Sequence, residues 1–443
     1  MRWWPVVLLW GCGGDKDDAP IEPFEDTGDP VTTDTETLTD TGPTTEPTTA
    51  LCSPLPAPSG AVVSVAANDD LAAAVAAASA GDTLELSAGT YSISPPLHID
   101  KALTLRSATG DASSVTIDGG YAAGHVVEIA ASDVTLAHLT IAHAYDDLVH
   151  VEPVDSDLSG IRLHDLSLVD PGVRAVRVQG TADGRYFVDG GEVSCSSIQL
   201  TDDGREEVRG ACDIGGIDLS ATRDWTVRDT TIDGLWCDSG LASPGIRATY
   251  GVRDVKIWRN VMTDTVQGIV LGEGTALEGR QYDDEPCGDG YPQSIDGEVV
   301  NNIVSTYRQL LRESFEGIGT GIRLEQSCNV FAVHNSVYAP VDPAIGRYGI
   351  EHRYDLTSGV VANNLTTWTV QRSDGSTATA EGNHELADET VWYFPADGDF
   401  HLAPAAGKGI VDAGSTNYLG EVPDDVDGDP RDSAPDVGAD ERT

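Results

Sequence analysis

Two short strand-like patterns alternate through most of the 443 residues, and no other feature constrains the fold as tightly. One series of period-two segments begins at Val134, Ile161, Ser197, Trp225, Val255, Glu298, Val330 and Val360, with separations of 27, 36, 28, 30, 43, 32 and 30 residues. Between its members runs a second series: HVVEI, LVHVE and AVRVQ, then GIDL from Gly216, GIRA from Gly245, GIVL from Gly268, GIRL from Gly321 and GIEH from Gly349. Each repeat holds short strands and turn residues but no crossover helix, so its strands can pair only with their equivalents in neighbouring repeats. The expected fold class is all-β, a parallel solenoid. Its uneven turns place insertions at 180–194 and 272–295 on one edge, and at 232–244 and 305–319 on the other. Loops on the edge of a regular stack commonly carry binding function.

At the front, NDDLAAAVAAASAGD (Asn68 to Asp82) has capping residues, an Ala-rich run and a terminating Gly81, which predicts one short helix over the open end of the first coil. LELSAGTYSI, LTLRS near Leu103 and VTIDGG near Val115 follow, and DVDGDPRDSAPDVGADE closes the chain. With these features the stretch from about Val62 to Glu441 resembles the right-handed parallel β-helix proteins of the pectate-lyase-like superfamily. The resemblance implies a right-handed β-helix with a short N-terminal capping helix over 59–443. It also implies an Asn-rich ladder, for which Asp165, Asp229, Asn260, Asn302, Asn335 and Asn364 recur at a tight turn. One fold hosts many activities, so the chemistry has to come from the residues.

The acids number 73 against 26 Lys plus Arg, a net charge of −47, which excludes nucleic acid as a partner. Residues 1–58 carry 2 basic and 11 acidic side chains, so −38 of that charge belongs to the rest of the chain. MRWWPVVLLWGCGG has the order of an export signal, and it looks like a bacterial lipoprotein signal with cleavage before Cys12 and lipid on its thiol. From 13 to 58 the chain is Thr, Asp, Glu, Pro and Gly, a composition read as a disordered stalk that holds the folded domain away from a membrane. The expected location is the cell envelope or the extracellular space, as a monomer. Without Cys12, six cysteines remain, enough for three disulfides in an oxidising compartment. Cys195 with Cys212, and Cys237 with Cys287, are the expected pairs because each lies in or beside a long connection.

Register turns the second series into a surface. If the residues flanking one position point inward, that position points outward, and successive coils stack about 4.8 Å apart. The outward column then reads Glu128, His150, Arg177, Asp218, Arg247, Val270, Arg323, Glu351, and the next column Ala130, Glu152, Gln179, Ser220, Thr249, Gly272, Glu325, Arg353. A charged ladder of this kind suits an extended polysaccharide, and the resemblance places substrate on such a sheet. Three readings stay open. For β-elimination from a polyuronide, Arg247 and Arg323 are the base and carboxylate-binding candidates, with Glu351 beside them. Asp218, Glu325 and Glu351 are then the candidate Ca²⁺ ligands that the resemblance implies, and His150, Arg177, Asp218 and Arg353 the candidate substrate contacts. For glycoside hydrolysis, Glu325 and Glu351 could pair across adjacent coils. The third reading is a glycan-binding or adhesion protein without catalysis.

Overall fold

The computed structural model describes residues 52, 54–208, 212–237, 242–274, 279–284, 287–288, 290, 292–306, 319–339, 348–395 and 398–442. The leader, Cys12 and most of the stalk, to residue 51, lie outside these, as do most of 305–319 and the middle of 272–295. Among the described residues no helix is long and apolar enough to cross a membrane.

The chain is a parallel β-helix. Ten strands form one sheet, each paired in parallel with the equivalent strand of the next coil: Leu97–Ile99, Val127–Ile129, Asp147–Val151, Arg174–Gln179, Gly215–Ser220, Ile246–Thr249, Ile269–Leu271, Ile322–Glu325, Tyr348–Arg353 and Thr369–Ser373. A larger parallel assembly forms the rest of the coil. Its two stacks meet where long strands such as Leu158–Val169 pair with Val188–Ser194 along one half and Ser197–Gln199 along the other. Alternation sends Val, Ile and Leu inward, and Leu136, Leu163, Val193, Val227 and Ile257 stack in the interior without solvent exposure. At the open end the predicted helix forms as Leu71–Ala77, shorter than the motif, capped by Asp70 and burying Leu71 and Val75.

Register corrects the first repeat series in one place. Ser197 pairs with Ser167 and Thr231, in the second stack, whereas the partner of Ile161 and Trp225 is Gly191. The segment read as insertion 180–194 therefore contains the strand Val188–Ser194, and the loop is confined to its front part. Gly190 and Gly191 hide the strand pattern, and the structure shows their reason. A Cβ on Gly191 would lie 2.4 Å from the Trp225 ring, whose Nε1 donates to the Val188 carbonyl at 3.0 Å.

The corner between the two stacks carries the amide ladder. Asn260, Asn302, Asn335, Asn364 and Asn383 pass a side-chain hydrogen bond from coil to coil at 2.9, 3.0, 2.9 and 2.9 Å, and the first four are fully buried. Asp165 and Asp229 are not rungs. They occupy the left-handed position one residue earlier, at φ 47° and 52°, equivalent to Arg259 and Asn301. Thr230 stands at the rung after Asp229, its backbone N–H donating to the Asn260 side chain at 3.2 Å.

Three disulfides cross-link the coil: Cys52–Cys195, Cys212–Cys237 and Cys287–Cys328. Both expected pairs are overturned, because Cys195 sits at a coil corner reached by the segment ahead of the first strand and Cys237 faces the neighbouring edge loop that holds Cys212. Three bridges mark a chain that folds in an oxidising compartment. The acidic C-terminal segment packs back on the coil. Arg431, buried, donates to Glu441 and to Asn301, each at 3.0 Å, while Asp425 accepts the backbone N–H of Asp427, Asp429 and Glu441.

Candidate functional site

The ten-stranded sheet turns its charged column outward as the alternation requires. Pairings run from His98 through Glu128, His150, Arg177, Asp218, Arg247, Val270 and Arg323 to Glu351 and Gln371, one residue per coil. The second column is in register too, with Gln179, Ser220 and Thr249 in line and Glu325 beside Arg353. Gly274, in the connection that follows Ile269–Leu271, donates its N–H to Glu325 Oε2 at 2.8 Å.

The charges sort into three groups along the axis. At the first coils Asp147, 1% exposed, is ringed by nitrogens: His150 Nδ1 at 2.9 Å, His125 Nδ1 at 3.3 Å and Arg177 Nε at 2.8 Å. Burial would raise the Asp147 carboxyl, but His125, His150 and Arg177 outweigh it and hold it well below the usual carboxylate range. Burial would likewise lower His150, and the Asp147 and Glu152 carboxylates raise it above the ordinary imidazole value instead.

In the middle coils Asp218 is buried between two guanidinium groups. Arg174 Nε lies 3.4 Å from Asp218 Oδ2, and Arg247 Nη2 bonds the same oxygen while its Nη1 reaches Glu273 at 3.3 Å. Arg174 also binds Asp213 and Ser243 at 3.1 and 3.0 Å. Burial works against the Arg247 charge, but Asp218 and Glu273 more than offset it, so Arg247 is held firmly as a cation. Asp218 Oδ1 and Arg247 Nε are buried without hydrogen-bond partners among the described residues.

At the far coils Arg323 and Arg353 flank Glu325, with Arg323 Nε 3.4 Å and Arg353 Nη1 3.6 Å from its Oε1. Arg323 Nε makes no aligned hydrogen bond there. Arg353 also binds Asp374 at 2.6 Å and lies 3.9 Å from Glu351.

The sequence-derived residues are thus all on one face but not in one constellation. His150, Arg177 and Asp218 are consecutive, Arg323 and Glu351 are neighbours, and Arg247 stands two coils from Arg323 with Val270 between. Asp218 and Glu325 do not fit a shared Ca²⁺ ion. Their strands are three coils apart, roughly 14 Å at the spacing of parallel strands, and Asp218 Oδ2 and both Glu325 oxygens already face guanidinium or backbone N–H groups, unlike the open oxygen cage calcium takes. His334 and His352 are scaffold: both are buried, His334 against Gly438 and Asn363, His352 on Ser376.

Asp147, Arg174 and His125 escaped the period-two reading. They stand at the strand entry, before the consecutive buried pairs Leu148–Val149, Ala175–Val176 and Val126–Val127, where the chain bends and alternation lapses. That doubled apolar pair ahead of each outward residue is the signal that could have found them. Of the aromatic side chains near the edge loops, Trp225 is core and Tyr282 packs on Arg253 and Arg280.

No family model and no curated protein sequence matches this chain. Solved structures do. Pectate lyase Pel9A is 13% identical with a TM-score of 0.49, over 87% of this chain and 97% of that one. An alginate lyase from Paenibacillus sp. str. FPU-7 is 14% identical at 0.45, over 74% and 99%. The tailspike of E. coli bacteriophage HK620, solved with a pentasaccharide, is 14% identical at 0.39, over 70% of this chain and 54% of that one. At such identities and TM-scores the likeness carries no chemistry, which rests on this chain's own residues.

Proposed function

We propose that this chain is an exported β-helix that binds an extended, carboxylate-bearing polysaccharide along the outward face of the ten-stranded sheet and cleaves it by β-elimination. The observation that carries the reading is the in-register column from Glu128 to Glu351, ionisable in every coil but that of Val270, on a sheet whose spacing is comparable to the repeat of a sugar polymer. The export leader, lipid on Cys12 and the 13–58 stalk complete the proposal, presenting the monomeric domain outside the cell.

β-Elimination removes the proton α to a uronate carboxylate while that carboxylate is neutralised and the glycosidic oxygen on the adjoining carbon departs. Arg323 and Glu351, adjacent in register, form the proton-transfer pair, and Arg353, beside Glu351, neutralises the carboxylate of the same sugar. Arg247, held as a cation two coils away, meets the carboxylate of a uronate further along the polymer, and His150, Arg177 and Asp218 line the subsites beyond it. No step is routed through Ca²⁺.

One observation favours a second reading, glycan binding without turnover. The arginines of the face are matched to acids: Arg177 to Asp147, Arg247 to Asp218, Arg323 to Glu325 and Arg353 to Asp374. The test mixes the full chain, disulfides intact, with pectate, alginate, glycosaminoglycan and neutral glycans. Unsaturated-uronate absorbance that is lost in a folded Arg323→Ala variant is the expected result; full activity in that variant overturns the assignment. Reducing ends without absorbance would mean hydrolysis by the Glu325 and Glu351 carboxylates, and retention without product would mean a binding protein.

A further inference from the structure

We propose that His125, Asp147 and His150 bind a divalent transition metal of the zinc class at the N-terminal end of the ten-stranded sheet, with Glu152 as the outer-sphere partner. The three residues come from two successive coils, since Val127 pairs with Val149 and thereby sets His125 over Asp147. Their ligand atoms all lie within 4.8 Å of one another. Asp147 Oδ2 is the common vertex, 2.9 Å from His150 Nδ1 and 3.3 Å from His125 Nδ1, and the two imidazole rings stack with centroids 4.2 Å apart. Tetrahedral ligands at about 2.0–2.1 Å from zinc stand about 3.3 Å from one another, so only small side-chain adjustments separate this cluster from coordination.

Two further observations point to an ion. First, the metal-free cluster is poorly satisfied. Three nitrogens crowd one carboxylate oxygen that has two lone pairs, and His125 Nδ1 is buried with no aligned hydrogen-bond partner among the described residues. Replacing two imidazole N–H groups by one cation removes that conflict, while Arg177 keeps its contact with Asp147 Oδ1 at 3.2 Å. Second, the outer shell is in place. Metal-bound imidazoles commonly give their other nitrogen to a carboxylate, and His150 Nε2 lies 3.3 Å from Glu152 Oε2.

Two imidazoles and one carboxylate select a borderline metal over Ca²⁺ or Mg²⁺, which take oxygen ligands. Three protein donors leave a coordination position for water or a ligand from the groove. The other convergent group, His401, Asp427 and Asp440, fits less well. Both His401 nitrogens are held by acids, Asp399 at 2.7 Å and Asp427 at 3.1 Å, and Asp440 Oδ2 accepts the Leu402 N–H at 2.7 Å.

The test titrates the full chain with Co²⁺, followed by visible absorption, and with Zn²⁺ by equilibrium dialysis. One ion per chain is expected, with His150→Ala and His125→Ala each weakening binding at least 100-fold and Glu152→Gln about 10- to 100-fold. His401→Ala should leave binding unchanged. Far-ultraviolet circular dichroism confirms folding, and because Asp147 is deeply buried, the partly exposed His125 provides the decisive variant. Absence of stoichiometric binding in the parent chain, or binding that survives both histidine variants, overturns the site.

Discussion

Two polar columns run along this coil at the same spacing, and they solve the problem of stacked identical positions in opposite ways. The corner ladder from Asn260 to Asn383 is neutral, and each amide is both donor and acceptor, so every rung satisfies the next. The column from Glu128 to Glu351 is built mostly from carboxylates, which only accept, and guanidinium groups, which only donate, so its members need partners of opposite charge. Val270 interrupts the column, and elsewhere along it the pairing is incomplete: Asp218 Oδ1 and Arg247 Nε are buried without hydrogen-bond partners among the described residues. An amide ladder is complete in itself and serves the scaffold; an alternating ladder leaves unused capacity, which is what a ligand can take.

Removing one rung of the amide ladder should have the largest effect on the coil. Asn302 donates to Ile257, Val300 and Asn335 and accepts from Asn260, so Asn302→Ala should cost roughly 4 kcal/mol and lower the thermal midpoint in calorimetry. In the charged column Asp218→Asn leaves Arg174 and Arg247 facing a neutral amide in a buried setting, and about 2–3 kcal/mol should be lost by denaturant titration. Arg323→Ala removes a part-exposed group without an aligned bond, so stability should fall by less than about 1 kcal/mol while glycan retention drops strongly. A stability loss as large as that of Asn302→Ala would make the far coils scaffold like the corner.

Titration separates the two columns further, because amides have no charge to lose. The smallest expected effect lies outside both, at the closing segment. The Asp427 contact raises His401, against the effect of burial, from its ordinary 6.5 to about 10. A raised histidine contributes stability that is complete below 6.5 and lost as pH climbs toward 10. Amide protection factors around His401 and Asp427, taken relative to the base-catalysed intrinsic exchange rate at each pH, should therefore fall across that window in the parent chain and not in His401→Gln.

The coil was legible because its signal is repetition. The GI segments set the register of the charged column without error, since a glycine at the coil corner recurs where a Cβ would strike the next coil: at Gly216 it would lie 2.2 Å from the Gly245 carbonyl. The strand at Val188–Ser194 was hidden because Gly190 and Gly191 replace the β-formers that make a strand visible. The site was legible only by column. Which charges meet depends on strand-entry residues such as Asp147 and Arg174, and disulfide pairing depends on spatial neighbours that sequence distance does not report: Cys52 and Cys195 are 143 residues apart.

That last bond has a mechanical consequence. Force applied to the chain ahead of Cys52, as any attachment there would apply it, reaches the coil at Cys195 by a covalent route. The capping helix and the first coils then lie in a closed loop that carries none of the load. A solenoid gripped at its terminus would be expected to unwind from that end; this one would be pulled at an interior corner, where several coils must yield together.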